Sequence, residues 1–181
     1  MFGPGAIKPR EDLKLLNTDK EKTLLVSDNA YFKKLGEECL KRAISVDMIV
    51  APNSYVDLAS ISEVSHVTQG RVYYMPQFDV HRDHATLWHT LRRSLTHRIV
   101  FEAALRVRAS SGISVASYDL GGLAHAGPDV TLAAMDSTTT LAVTLTHDES
   151  LEDRPDKPVL VQCAVAHTTP YGQRMIRVHT L

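Results

Sequence analysis

The chain has 181 residues, and its 20 Lys+Arg against 21 Asp+Glu leave a formal charge of -1. With 44% hydrophobic and 23% charged residues it matches an ordinary globular protein, which excludes collagen, coiled coil and bulk disorder, and its size suits one domain or two small lobes. The near-neutral balance shows no overall basic excess of the kind that grips nucleic acid through phosphates.

Met1 to Lys22 carries Gly3, Pro4, Gly5 and Pro9 among many charges, without an apolar period, and reads as a loop or exposed connection. Ser27 or Asp28 is placed to cap a helix, whose apolar face is marked by Phe32, Leu35 and Cys39 at spacings of three and four. The apolar run Ile44–Ala51, stopped by Pro52-Asn53, predicts a buried parallel strand. Leu58, Ile61 and Val64 mark a second helix ending near Gly70. Arg71–Met75 predicts a second strand, stopped by Pro76, and Trp88, Leu91 and Leu95 mark a third helix. Helix–strand–helix–strand–helix with short links is the pattern of an open parallel sheet covered by helices. Two strands bury too little to stand alone, so either the second half completes the sheet or the segment belongs to a larger domain.

After about residue 98 the period becomes two. Leu105 and Val107 alternate with Ala104, Arg106 and Arg108, and Ile113 and Val115 share a face. Leu141, Val143 and Leu145 form another face, as do Val159, Val161, Cys163 and Val165. Ile176 and Val178 alternate with Met175, Arg177 and His179. Turn residues separate these runs at Ser110-Ser111-Gly112, Gly121-Gly122, Gly127-Pro128 and Asp153–Pro158. Short alternating strands between turns predict a β-sandwich. The fold class is therefore α+β, with residues 1–98 in an α/β domain and residues 99–181 in an antiparallel β-sandwich.

The two cysteines, Cys39 and Cys163, form no C-x-x-C pair, which excludes a zinc finger, gives no disulfide framework and fits a reducing compartment. No apolar run approaches the ~20 residues of a membrane span, and MFGPGAIKPRED lacks the apolar core of a secretory signal, so a soluble, cytosolic-type protein is expected. His81, Asp83, His84 and His89 have the residue types of a zinc site but not the H-E-x-x-H spacing. A polar helix start capped by Asp83 is the simpler account. Cys163 and His167 share a strand face about 13 Å apart at ~3.3 Å per residue, beyond the reach of a nucleophile–base pair. No phosphate-binding glycine loop or nucleophile elbow occurs.

Arg106 and Arg108 are more informative. Residues i and i+2 of a strand point the same way, ~7 Å apart. Two planar guanidinium groups so placed form an anion clamp for carboxylates, with a solvated strand face as the alternative. Arg92 and Arg93, with His89 and His97, form a second basic strip suited to an acidic partner or membrane surface, or simply to water.

Several segments in order carry a resemblance. They are Ala6–Asp12 (AIKPRED), Thr18–Leu24 (TDKEKTL), Val46-Asp47 with Ala51–Asp57 (APNSYVD), and Leu91-Arg92-Arg93; then Phe101–Ile113 (FEAALRVRASSGI) and Gly172–Leu181 (GQRMIRVHTL). The series closely resembles the cargo-selecting adaptor subunit of the COPII vesicle coat, almost end to end. The resemblance implies a partial von Willebrand A-like trunk followed by a β-sandwich, and a non-catalytic adaptor that pairs with a sister coat subunit through the trunk. It implies a place at the cytoplasmic face of the endoplasmic reticulum membrane and of COPII vesicles. The expected partners are that subunit, the membrane surface and the cytoplasmic tails of cargo and SNARE proteins, with no nucleic acid. It also implies that Arg106 and Arg108 read acidic export signals. No cofactor is expected in this chain, since the family's structural zinc belongs to a four-cysteine domain that is missing here. The first half of the trunk and the helical and gelsolin-like parts are missing too, which implies a fragment. Met175 stands where the family usually has a second arginine, Val67–Gly70 replaces a Gly-Gly ending, and Gly121–Ala124 is less aromatic. The sister subunit, which stimulates a small GTPase, is the alternative, and a metal hydrolase using His81 and His84 a more distant one.

Overall fold

A computed structural model describes residues 13–121, 123–125, 127–151 and 158–181, with backbone only at 123–125. The segment Ala6–Asp12, most of the first loop, Gly122 and most of the Asp153–Pro158 turn lie outside the described residues. Two compact units meet between His97 and Arg98.

In the first unit a short 3-10 helix, Glu21–Leu25, precedes α1, Ala30–Lys41. Its cap is Asn29, whose side chain accepts the Tyr31 N–H at 2.9 Å, rather than Ser27 or Asp28. Ser27 is occupied one step earlier, its hydroxyl donating to the Asn29 carbonyl, while the Asp28 N–H donates to the buried Ser60 hydroxyl. The strand expected over Ile44–Ala51 shrinks to β1, Met48–Val50, which pairs in parallel with β2, Val72–Tyr74. Between them the second predicted helix is two short ones, α2 Leu58–Ile61 and α3 Glu63–Val67. Asp57 caps α2 by accepting the Ser60 N–H at 3.1 Å.

Close approach holds this unit together. Gly36 on α1 lies against Val64 and Val67 of α3, where a Cβ would come 2.9 Å from the Val67 side chain. Buried Thr68 donates its hydroxyl to the Val64 carbonyl and accepts the Val46 N–H, tying the end of α3 to the approach to β1. At Gly70 a Cβ would sit 2.1 Å from the Val46 carbonyl oxygen, a backbone atom with no rotamer to yield.

α4 spans Val80–Thr96. Its cap is Asp79, which accepts the His81 and Arg82 N–H groups, and not Asp83. Asp83 works in the reverse direction: its carboxylate accepts the Asp79 N–H at 3.0 Å and pairs with Arg82 at 2.8 Å. The apolar stripe of α4 stays largely uncovered, Trp88 being 64% and Leu95 83% exposed.

The second unit is a sandwich of two antiparallel sheets. Strands β3 (Ile99–Ala109), β6 (Val130–Asp136), β8 (Val161–Thr168) and β9 (Arg174–Thr180) form one sheet in the order β6-β3-β8-β9. Strands β4 (Ile113–Leu120), β5 (Leu123–His125) and β7 (Ala142–His147) form the other, in the order β5-β4-β7. Ala103, Leu105 and Val107 of β3 pack with Tyr118 and Leu120 of β4 and with Val130 and Leu132 of β6. Strand β6 breaks the alternation rule, since Leu132, Ala133 and Ala134 are all buried. A bulge between Val115 and Ser117 shifts the phase of β4, so Val115 and Tyr118 both reach the core although their numbers differ in parity. A second irregularity, between Phe101 and Ala104, holds Glu102 at a φ of 50°. Arg174 clasps it by donating to the Glu102 carbonyl at 2.7 Å.

Gly70→Ala should destabilise the protein by about 1–3 kcal/mol, the usual cost of forcing atoms into a packed site, read as a lower denaturation midpoint with an unchanged slope. Asp83 supplies a pH test. Its hydrogen bond from Arg82, and after it the one from the Asp79 backbone, lowers its carboxyl to about 2. A depressed folded-state value means the contribution is complete above the unfolded value of ~3.9 and is lost as pH falls toward 2. A carboxyl-detected NMR titration should place the Asp83 midpoint near 2, and in Asp83→Asn the first turn of α4 should lose this acid dependence.

Candidate functional site

Period two along β3 decides where the arginines go. Leu105 and Val107 are buried between the sheets, so Arg106 and Arg108, with no irregularity between them, share the opposite face. Antiparallel register then chooses their neighbours. Leu105 pairs with Val130, which brings Asp129, the residue before β6, opposite Arg106. The result is a two-pronged ion pair, with Arg106 Nε donating to Asp129 Oδ1 and Nη2 to Oδ2. Asp129 is held below the usual carboxylate range, first by this hydrogen bond and then, after burial has raised it somewhat, by the charges of Arg106 and Arg108. The same bond raises Arg106. Both side chains of the pair are a little under half exposed, so water screens the interaction and its net contribution to stability is small.

Arg108 is different. It is exposed and makes no ion pair with a described residue. The site is thus asymmetric: one guanidinium already holds a carboxylate and the next, on the same side, is open. Toward β8 and β9 Arg106 borders an apolar shelf, whereas Arg108 lies beside Gln162 and then Thr180. Arg106 lies beside Ala164 and then Val178, and Ala104 beside Ala166 and then Ile176, with Val178 and Ile176 54% and 70% exposed.

The other border is an open cleft of about 550 Å³. It is lined by Arg106–Ala109, Val115, Tyr118 and Gly127-Pro128. Tyr118, only 1% exposed, braces it. Its hydroxyl accepts the Val107 N–H at 3.1 Å and donates to the Pro128 carbonyl at 3.2 Å, joining β3, β4 and the turn before β6.

The other residues singled out from the sequence do not assemble a site. His81, His84 and His89 are exposed around the start and middle of α4, and Asp83 is spent on Arg82 and the Asp79 N–H. Among the described residues no group of three His, Cys, Asp or Glu could hold a metal ion. Two cysteines, neither in a C-x-x-C pair, also do not fit a four-cysteine zinc centre. Cys163 packs against the inter-sheet core, and burial pushes its thiol up, away from the reactive thiolate. His167 is buried on the same strand. Arg92 and Arg93 are exposed on α4.

Sequence reasoning missed two members of the arginine site. Asp129 sits just past Gly127-Pro128 and ahead of Val130–Met135, a stretch whose apolar residues do not keep to alternate positions and which therefore carries no clear strand signal. Tyr118 was hidden by the bulge that changes the phase of β4.

Residues 1–95 match the family model of the Sec23/Sec24 trunk domain and residues 100–181 that of the Sec23/Sec24 beta-sandwich domain. Human protein transport protein Sec24C is 38% identical over 98% of this chain and 16% of its own length. Human Sec24D is 37% identical over 98% and 17%. Arabidopsis thaliana SEC24 A is 34% identical over 99% and 17%. The crystal structure of the human COPII-coat protein Sec24c superposes with a TM-score of 0.91 at 38% identity, covering 99% of this chain and 24% of that one. The chain therefore spans about one-sixth of the length of these curated relatives. No described helix is long and apolar enough to cross a membrane. Two family models in tandem, one for each half, and a shared backbone geometry lead to one conclusion: the chain belongs to the Sec23/Sec24 family and is a Sec24-type COPII coat protein carrying trunk and β-sandwich segments.

Proposed function

We propose that this protein is a non-catalytic adaptor that binds acidic export signals in the cytoplasmic tails of cargo and SNARE proteins as COPII vesicles form at the endoplasmic reticulum. Arg106 and Arg108 are its reading residues. The observation that carries this is the Arg106–Asp129 pair beside an open Arg108: the strand already holds one carboxylate in two-pronged geometry and offers a second guanidinium on the same face. The apolar shelf at Val178 and Ile176 adds a surface for the rest of a tail. The 1–98 segment serves as trunk, through which the protein joins its sister coat subunit on the membrane surface, and the 99–181 segment as the cargo-reading sandwich. Nucleic acid is not among the partners, consistent with a net charge of -1.

Asp129 gives this reading an unusual term. An incoming carboxylate meets Arg108 first and must displace or share Asp129 to engage Arg106. Asp129 then acts as an intramolecular competitor that weakens binding and favours ligands with more than one negative charge.

In calorimetric titration with a short acidic tail peptide, Arg108→Ala should cost about 1–3 kcal/mol, the range for a hydrogen bond to a charged group. Arg106→Ala should cost less, because its partner is already present. Affinity should fall steeply with salt, since exposed charges are screened beyond ~10 Å at 0.1 M. Equal affinity for the double variant and the parent would refute the arginine assignment. Asp129→Asn should tighten binding several-fold by freeing Arg106 from a competing charge. A loss of affinity in Asp129→Asn would show instead that the carboxylate positions Arg106 for the ligand.

A further inference from the structure

The segment 51–57 (APNSYVD) has no part in the arginine site, yet the first unit builds a cavity from it. Strands β1 and β2 run in parallel and stop level with each other, at Val50 and Tyr74. Open parallel sheets bind their ligands in the crevice outside the carboxyl ends of the strands. A cavity of about 180 Å³ lies there, between residues 52–55, which leave β1, and residues 74–77, which leave β2.

Both chains are fixed before any ligand arrives. Past the last strand pair, the Met75 N–H donates to the Val50 carbonyl at 2.9 Å and the Gln77 N–H to the Pro52 carbonyl at 3.0 Å. Gln77 stands at a φ of 50°, in the left-handed region that a residue with a side chain seldom adopts. Its carbonyl accepts from Arg82 Nη2 at 2.7 Å, and Arg82 is held in turn by Asp83. At the far end of the first loop the buried Asp57 ties the chain to the start of α2. Strain that the surroundings hold in place collects at binding sites, and a pre-shaped site loses little freedom when it is filled.

The lining is aromatic and neutral. Tyr55 and Tyr74, exposed on the rim, join Pro52 and Pro76 as apolar walls, and no charged side chain lines the cavity. Asn53 and Gln77 add side-chain amides that no described residue engages. The volume is well below the ~300 Å³ at which sites for whole small molecules begin, so the cavity suits one side chain of a peptide. We propose that it binds a neutral, proline-bearing segment of a partner protein in the polyproline II conformation. Such a helix makes no internal hydrogen bonds, so its carbonyls are free to accept from the Asn53 and Gln77 amides, and its rings pack on aromatic and proline walls. A charged side chain would find no counter-charge here. A phenylalanine would fit the walls, but its chain must be ordered on binding, whereas a proline helix is already formed.

The test follows NMR signals of the full chain as a blocked, neutral hexapeptide is added, two adjacent prolines flanked by alanines. Signals of Asn53, Tyr55, Tyr74 and Gln77 should shift saturably, with an affinity that does not change as salt is raised, because no charges meet. The same peptide with alanine for both prolines should bind about 10-fold more weakly, and Tyr55→Ala, at an exposed position, should cost about as much. Gln77→Gly separates binding from folding. Glycine adopts the φ of 50° freely and keeps both backbone hydrogen bonds, so the denaturation midpoint should hold or rise while affinity falls several-fold. Equal binding of the alanine peptide, or tighter binding of a phenylalanine peptide, would overturn the choice of proline. Affinity unchanged in both Tyr55→Ala and Gln77→Gly would overturn the site itself.

Discussion

Alternation along β3 is the constraint on which the second unit depends. One strand supplies Ala103, Leu105 and Val107 to the space between the sheets and Ala104, Arg106 and Arg108 to the outside. A slip of one residue would bury two guanidinium groups and expose three apolar side chains. The register to β6 and β8 is therefore held by the core itself, and the position of the arginines follows from packing rather than from any property of the site. Tyr118 reinforces this where β6 stops, its hydroxyl standing in for a strand partner at Val107.

Electrostatics at the site is a matter of competition. A guanidinium on a strand face in water gains little from a single exposed carboxylate. Asp129 nonetheless reaches Arg106 because antiparallel register puts them opposite each other, so little chain order is lost in bringing them together. The open Arg108 beside this closed pair leaves the face asymmetric, with one guanidinium already facing an internal carboxylate and the next free of ion pairs with described residues. Ala164, Ala166, Val178 and Ile176 form an apolar shelf on the same face beside Arg106.

The first unit is organised by close approach instead. Gly36 lets α1 lie against α3, Gly70 lets the chain pass the Val46 carbonyl, and Thr68 links both places through its hydroxyl. These contacts bring the short strands β1 and β2 into parallel pairing, with the Met48 N–H donating to the Arg71 carbonyl at 2.7 Å and the Met75 N–H to the Val50 carbonyl at 2.9 Å.

Local pattern determined the kinds of element and their order. Apolar residues three and four apart marked α1 and α4, and alternation marked β3, β7, β8 and β9, because those periods are imposed by the geometry of a single helix or strand. The shared face of Arg106 and Arg108 was legible for the same reason. Only tertiary structure decided which residue met which. Strand β6 was illegible because three consecutive positions, Leu132–Ala134, are buried, and the phase of β4 because a bulge adds a residue that no composition signals. Asn29 rather than Ser27 caps α1, and Asp79 rather than Asp83 caps α4, since several short polar side chains compete at each helix start and neighbouring hydrogen bonds choose among them. Asp129 stands 23 residues from Arg106, and only the pairing of β3 with β6 closes that distance. Side-chain period is a property of a segment, whereas register and charge pairing belong to segments brought together by the burial of a common core.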